Sequence, residues 1–283
     1  GLVQVSDAEV AQAMRALLAV TAGVGSTTIG RTPIEELPVF AFNDQTGVNE
    51  ASFEFAVSAE IPALHAGVTA PDSLTSVAVP SALLGSCWPT IYAAIGAGVA
   101  HGYPVIEGLL SAVHLDHSEL LHVPLDEILA AGTLTAHSWC ESIAESSAGR
   151  VVTIKTRVTD PSGRTVINFM ERFAMRGRVT TTELPVDPAP RGGAAGEVVD
   201  TARSMLRRVK VTAPANMTAF AIVSGDFNPI HTSQRAAKVS GMDDALVHGM
   251  WLCAAAQHTV ADTADAAGLR IKGWTYRMFG MVN

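Results

Sequence analysis

Two side chains able to exchange protons stand five residues apart late in the chain, in the run Gly225-Asp226-Phe227-Asn228-Pro229-Ile230-His231. A carboxyl and an imidazole differ in proton affinity, so one can give a proton while the other takes one. Further on, His248-Gly249-Met250 opens an uncharged, alanine-rich stretch expected to be a helix. The free N–H groups at a helix start favour an anion, and a glycine there leaves them open to close approach. Acid, base and anion-stabilising donor together suit removal of a proton beside a carbonyl, coupled to departure of a hydroxyl.

The backbone must bring these groups together. Proline at 229 removes a donor and pushes Asn228 out of the helical region, so residues 226–231 are expected to form a bent loop rather than a helix or plain strand. His248 directly precedes the helix. Its expected role is to cap the helix start, with a direct chemical role as the alternative.

The run from Ser224 to His231 resembles the hydratase motif of the MaoC-like, R-specific enoyl-thioester hydratases, a hotdog-fold family, and the spacing to Gly249 fits. Val247-His248-Gly249-Met250-Trp251, Gly273-Trp274-Thr275, Gly85-Ser86-Cys87-Trp88-Pro89 and Ile106-Glu107-Gly108-Leu109-Leu110 are similar to the dehydratase region of actinobacterial type I fatty acid synthases. The likeness begins near residue 75. It implies that His231 acts at the α carbon, that Asp226 holds or protonates the β-hydroxyl, and that the Gly249 amide polarises the thioester carbonyl. Gly225, Asn228 and His248 would support them. It also implies an acyl carrier protein as partner, with the substrate on phosphopantetheine or coenzyme A, alongside neighbouring synthase domains in a homo-oligomer. The chain opens without Met and ends at Asn283, one strand-like segment after the second helix, so a piece of a longer polypeptide is expected.

Composition bounds the class. With 283 residues, 48% hydrophobic and 16% charged, the chain can bury substantial cores and is long enough for two domains. A formal charge of -8 argues against nucleic acid or an anionic membrane as partner. Cys87, Cys140 and Cys253 are few and far apart, which suits a reducing, cytoplasmic compartment and buried packing. Residues 73–106 carry no Asp, Glu, Lys or Arg, but prolines, glycines and hydroxyl residues break the stretch, so a buried helix is expected there rather than a membrane span.

That helix has a double. Trp88 to Ala97 and His248 to Ala256 are both alanine-rich, aromatic-bearing and uncharged, and each precedes strand-like sequence. The expected fold class is therefore α+β, a tandem hotdog in which each unit is a hydrophobic helix wrapped by an antiparallel sheet. Residues 1–50 are assigned to an N-terminal helical connector beginning near Ser6, 51–178 to a first, non-catalytic unit, 179–198 to a linker, and 199–283 to the catalytic unit. Strands are expected over 134–143, 149–159 and 164–175, with Asp160 to Gly163 as a turn.

Two further clusters invite chemistry. His114 and His117 flank Leu115-Asp116, yet on a strand they would face opposite sides of the sheet, and no third ligand of zinc-like spacing lies near, so a structural role is expected. Glu60 and His65 repeat the five-residue spacing ahead of Gly85, but the glycine and asparagine of the motif are missing, and an active second site is not expected. Dinucleotide, phosphate-loop, nucleophile-elbow and zinc signatures are absent, so no bound cofactor or metal is implied. Three functions follow: dehydration of a (3R)-hydroxyacyl thioester in fatty acid synthesis, hydration of an enoyl-coenzyme A, or an inert double-hotdog scaffold.

Overall fold

The computed structural model of the protein describes residues 38–72, 77–97, 99–100, 103–104, 112–147, 149–176, 184–186, 202 and 204–283. The helix expected near Ser6 and most of the linker expected over 179–198 lie outside these residues.

Seven strands make one antiparallel sheet. They are β1 (Val39–Asn43), β2 (Val48–Ala56), β5 (Ala112–Leu121), β6 (Thr133–Ser146), β7 (Gly149–Thr159), β8 (Thr165–Met175) and β9 (Gly273–Arg277), in the spatial order β1-β2-β6-β7-β8-β5-β9. A separate two-stranded ribbon pairs β3 (Val99–Ala100) with β4 (Tyr103–Pro104). The helices are α1 (Glu60–Thr69), α2 (Leu84–Ala97), α3 (Leu125–Ala130), α4 (Thr218–Ser224), α5 (Pro229–Thr232), α6 (Gln234–Val239) and α7 (Gly249–Ala266).

The strands expected over 134–175 are β6, β7 and β8, closed by the Asp160–Gly163 turn. There Asp160 Oδ1 accepts from the N–H groups of Ser162 and Arg164, and Gly163 takes a φ of 83° that a side chain would disfavour. One assignment is corrected. Val39–Asn43 and Val48–Glu50 belong to the sheet and not to a helical connector, because a turn centred on Asp44 to Gly47, with Gly47 at φ 70°, folds β1 back on β2.

Helix α2 lies against β2, β6 and β7 and is apolar all round, with Trp88, Ile91, Tyr92, Ala93 and Ile95 buried. Its single hydroxyl pin reaches the sheet through Ser138, which donates to Thr90 at 2.8 Å and meets Thr156 at 2.7 Å. Helix α7 repeats the theme, burying Trp251, Cys253, Ala254 and Ala255. The next strand of the main sheet after α2 is β5 and after α7 is β9, and these two strands pair antiparallel from Asp116↔Arg277 to Leu120↔Gly273. The two halves of the chain thus join edge to edge in a single sheet. All three cysteines are free and buried, and burial pushes the Cys140 thiol up to about 12, as expected of packing residues.

Gly85 couples the halves at a second point. A Cβ there would collide with the backbone carbonyl of Ser224, the last residue of α4 and the one before Gly225-Asp226. Backbone cannot swing aside as a flexible side chain can. Gly85→Ala is expected to destabilise the fold by about 1–3 kcal/mol, read as a lowered Tm in thermal unfolding.

Candidate active site

The motif folds as helix end, sharp bend and helical turn. Gly225 closes α4 in the left-handed region at φ 71°, donating to the carbonyl of Ala221, and so throws Asp226 off the helix axis. Asn228 then caps α5, its Oδ1 accepting from the N–H of Ile230 at 3.3 Å. Here the expected open loop is corrected: Pro229 to Thr232 form one helical turn, because proline at the first helical position loses no bond and already has the right φ. His231 rides on that turn.

Asp226 is buried, and its Oδ1 accepts from the N–H of Asn228 at 3.1 Å and from the hydroxyl of Tyr92 at 3.3 Å. His231 donates from Nδ1 to the carbonyl of Leu246 at 2.9 Å, which leaves Nε2 as the free acceptor. Burial lowers the pKa of His231 below 6.5, against the opposing pull of Asp226 and the Leu246 carbonyl. At neutral pH the ring is therefore an uncharged base.

His248 stacks on His231 with ring centroids 3.9 Å apart and planes 24° apart. It stands at the N-cap of α7 but makes no side-chain cap; instead its Nε2 donates to the backbone carbonyl of Asp226 at 3.0 Å. Burial, helped by repulsion from His231, pushes its pKa down to about 3, so it braces the loop as a neutral ring.

Helix α7 begins at Gly249, whose N–H has no helical partner of its own. A Cβ at this position would meet the side chain of Met278, which would have to move aside. Asp226, His231 and Gly249 line one cavity of about 350 Å³, in the range of small-molecule sites. Trp88, Tyr92, His114 and Phe173 from the other half of the chain form its opposite wall, and Met278 to Val282 roof it. Val247 N–H donates to the carbonyl of Val282 and Met278 N–H to that of Leu115, both at 2.8 Å, which ties the roof down.

Asp226, His231 and His248 also bring one potential ligand atom each to within 4.8 Å of one another. One nitrogen of each ring is engaged by a backbone carbonyl, and stacked rings hold their remaining lone pairs in near-parallel planes rather than at a common point. The arrangement suits proton transfer better than metal binding.

Of the other expected clusters, Glu60 and His65 do not converge. Both lie on α1, but Glu60 is exposed while His65 is buried against Phe220 and His258. His114 and His117 correct the sequence reading: they do not face opposite sides of the sheet, since both hydrogen-bond Glu171. Pairing of β5 with β8 slips between His114 and Asp116, and the bulge at Leu115 turns the two rings onto one face. Tyr92 is a polar cavity residue that sequence reasoning missed, while His114, weighed there and given a structural role, also lines the cavity. Tyr92 stood within a legible apolar helix, but nothing local marked its hydroxyl as a partner of Asp226.

Residues 194–283 match the family described as MaoC like domain. That stretch is thus similar to a MaoC-like dehydratase domain. That family is one of hydro-lyases, hydratases and dehydratases alike. Over 233 residues the protein is 26% identical to 3-hydroxyacyl-thioester dehydratase X of Mycobacterium tuberculosis, covering 81% of this chain and 68% of that one. It is 30% identical over 142 residues to the fatty acid synthase beta subunit TOXC of Cochliobolus carbonum, a match that spans 50% of this chain but 6% of the fungal subunit. The crystal structure of HtdX from M. tuberculosis superposes with a TM-score of 0.56 at 18% identity, covering 82% of this chain and 83% of that one. A MaoC-like dehydratase from Phytophthora capsici gives 0.57 at 17% identity, covering 85% and 84%. The fold is the double hotdog, as the joined sheet and paired helices indicate.

Two outcomes follow for this MaoC-like site. Tyr92→Phe removes a donor to Asp226 without opening space, so kcat/KM is expected to fall roughly three- to thirtyfold with Tm little changed. The acid limb of kcat/KM is expected below pH 6.5, since a base with lowered pKa stays neutral until the pH drops past its depressed value.

Proposed function

We propose that the protein eliminates water from a (3R)-hydroxyacyl thioester, carried on the phosphopantetheine of an acyl carrier protein, to give the trans-2-enoyl thioester. The observation that carries this is the convergence of the His231 Nε2 acceptor, the Asp226 carboxyl and the start of α7 on one apolar-walled cavity. A thioester already acidifies its α proton, so the reaction needs a positioned base, a group on the hydroxyl and a donor to the carbonyl, and no bound cofactor. His231 Nε2 takes the α proton. The Gly249 N–H, at the positive end of an 18-residue helix, donates to the thioester oxygen as charge moves onto that oxygen. Asp226 engages the β-hydroxyl as partner or proton donor.

On this reading residues 39–178 and 199–283 are the two units of the tandem, joined by a linker over 179–198. The kinship with synthase subunits and with a free thioester dehydratase supports fatty acid synthesis as the setting, with neighbouring synthase domains and a homo-oligomer around the site. The same groups run the reverse reaction, so hydration of an enoyl thioester is the convenient assay.

Absorbance at the enoyl thioester band reports hydration of crotonyl-coenzyme A directly. The parent is expected to turn it over, and His231→Ala and Asp226→Asn to lose about 10²–10⁴-fold in kcat with circular dichroism unchanged. A folded parent inactive on both coenzyme A and carrier-protein thioesters would overturn the enzyme assignment in favour of an inert scaffold.

A further inference from the structure

His114 sits on β5, in the half of the chain that does not carry the acid/base motif, yet its ring lines the same cavity as Asp226 and His231. The bulge at Leu115 puts it there.

Behind His114 runs a buried chain of hydrogen bonds. His114 Nε2 donates to Glu171 Oε2 at 2.6 Å, and His117 Nδ1 donates to the other oxygen at 2.7 Å. His117 Nε2 reaches Glu119 at 3.2 Å, and Gln257 on α7 donates to Glu119 at 2.6 Å. Burial alone would lower the pKa of His117, but Glu171 and Glu119 raise it to about 10, so it is a cation clamped between them. Glu171 is held ionised in turn, its pKa lowered despite complete burial. With the Glu171 carboxylate accepting from Nε2–H, Nδ1 is the ring nitrogen left for a ligand, and it has no hydrogen-bond partner among the described residues. Phe173 stacks on the ring at 4.7 Å and Trp88 meets it edge-on at 6.2 Å, so its neighbours on that wall are apolar.

A ring nitrogen set between Phe173 and Trp88 on the cavity wall is open to a ligand atom. The oxygen that departs in a dehydration leaves as water with two O–H groups, and Asp226 offers one acceptor for them. We propose that His114 Nδ1 is the other, a substrate-binding residue that accepts a hydrogen bond from the departing oxygen while Glu171 holds its ring in place. This rests on the dehydratase assignment and extends it: the half of the chain without the motif would contribute a side chain to the chemistry as well as a wall.

The test compares a ligand that has the oxygen with one that lacks it. For the parent, H114Q and H114F, kcat/KM is measured for dehydration of (3R)-hydroxybutyryl-coenzyme A, and Ki for butyryl-coenzyme A as a competitive inhibitor. H114Q keeps an amide donor for Glu171 and so the fold, while H114F keeps the aromatic stack. In both, kcat/KM is expected to fall roughly three- to tenfold or more, with Ki within about twofold of the parent. Equal losses on the two ligands would reduce His114 to a structural role and overturn the inference alone, as would no loss on either. A parent that turns over no thioester would overturn the dehydratase assignment and this inference together.

Discussion

The hydrogen bond from His231 Nδ1 to the carbonyl of Leu246 sets which nitrogen of the ring is free, and the rest of the site is arranged around that choice. A ring turned or protonated the other way would present a donor where a base is needed. The bond depends on two segments meeting: the helical turn of α5, started by Asn228 and Pro229, and the stretch before α7 that contains Leu246. Leu246 N–H returns the contact by donating to the carbonyl of Ile230 at 3.0 Å, so the two segments hold each other by main chain and side chain together. His248, two residues on, stacks on the ring from behind and braces the Asp226 carbonyl. One short stretch therefore fixes the base, supports the acid and begins the helix whose first N–H faces the cavity.

The other half of the chain is needed because a loop of this kind cannot bury itself. Asp226 comes off a glycine at positive φ and would be solvated without the α2 wall; Tyr92 supplies both cover and a donor. Pairing of β5 with β9 then locks the register of the two halves, and the bare Cα of Gly85 lets α2 approach the end of α4 closely enough for Tyr92 to reach. Stability and site geometry are in this sense one constraint, carried by contacts between residues more than a hundred positions apart in sequence.

Local chemistry was legible in the sequence, and its long-range partners were not. Asp226, His231, Gly249 and the helix after it could be read because type and spacing within 25 residues nearly determine where they point. Strands β6 to β8 could be read from alternation and the Asp160–Gly163 turn. Tyr92 could not, since an apolar helix gives no sign of which of its residues will face a carboxyl on another segment. The shared face of His114 and His117 was hidden for a sharper reason. Strict alternation puts residues three apart on opposite sides, and one extra residue at Leu115 inverts that without any proline or glycine to announce it. The β1–β2 hairpin was missed although Gly47 marked its turn, because the flanking strand β1 is only five residues long.

Two buried imidazoles near the cavity end in different states, and the difference follows from what each ring touches. His117 sits between two carboxylates and is held charged; His248 touches a ring, a phenyl edge and a carbonyl, and burial holds it neutral. Nδ1 of His248 is buried with no partner, an unfavourable arrangement in isolation. A neutral His248 ring places no fixed cation 3.9 Å from His231. Linkage gives these states opposite consequences for stability. The raised group, His117, stabilises the fold fully below its unfolded value of 6.5, and that contribution fades as pH rises toward about 10. The lowered group, His248, stabilises above 6.5, and its contribution fades as pH falls toward about 3. These two imidazoles thus limit the stability of the fold from both sides of neutrality.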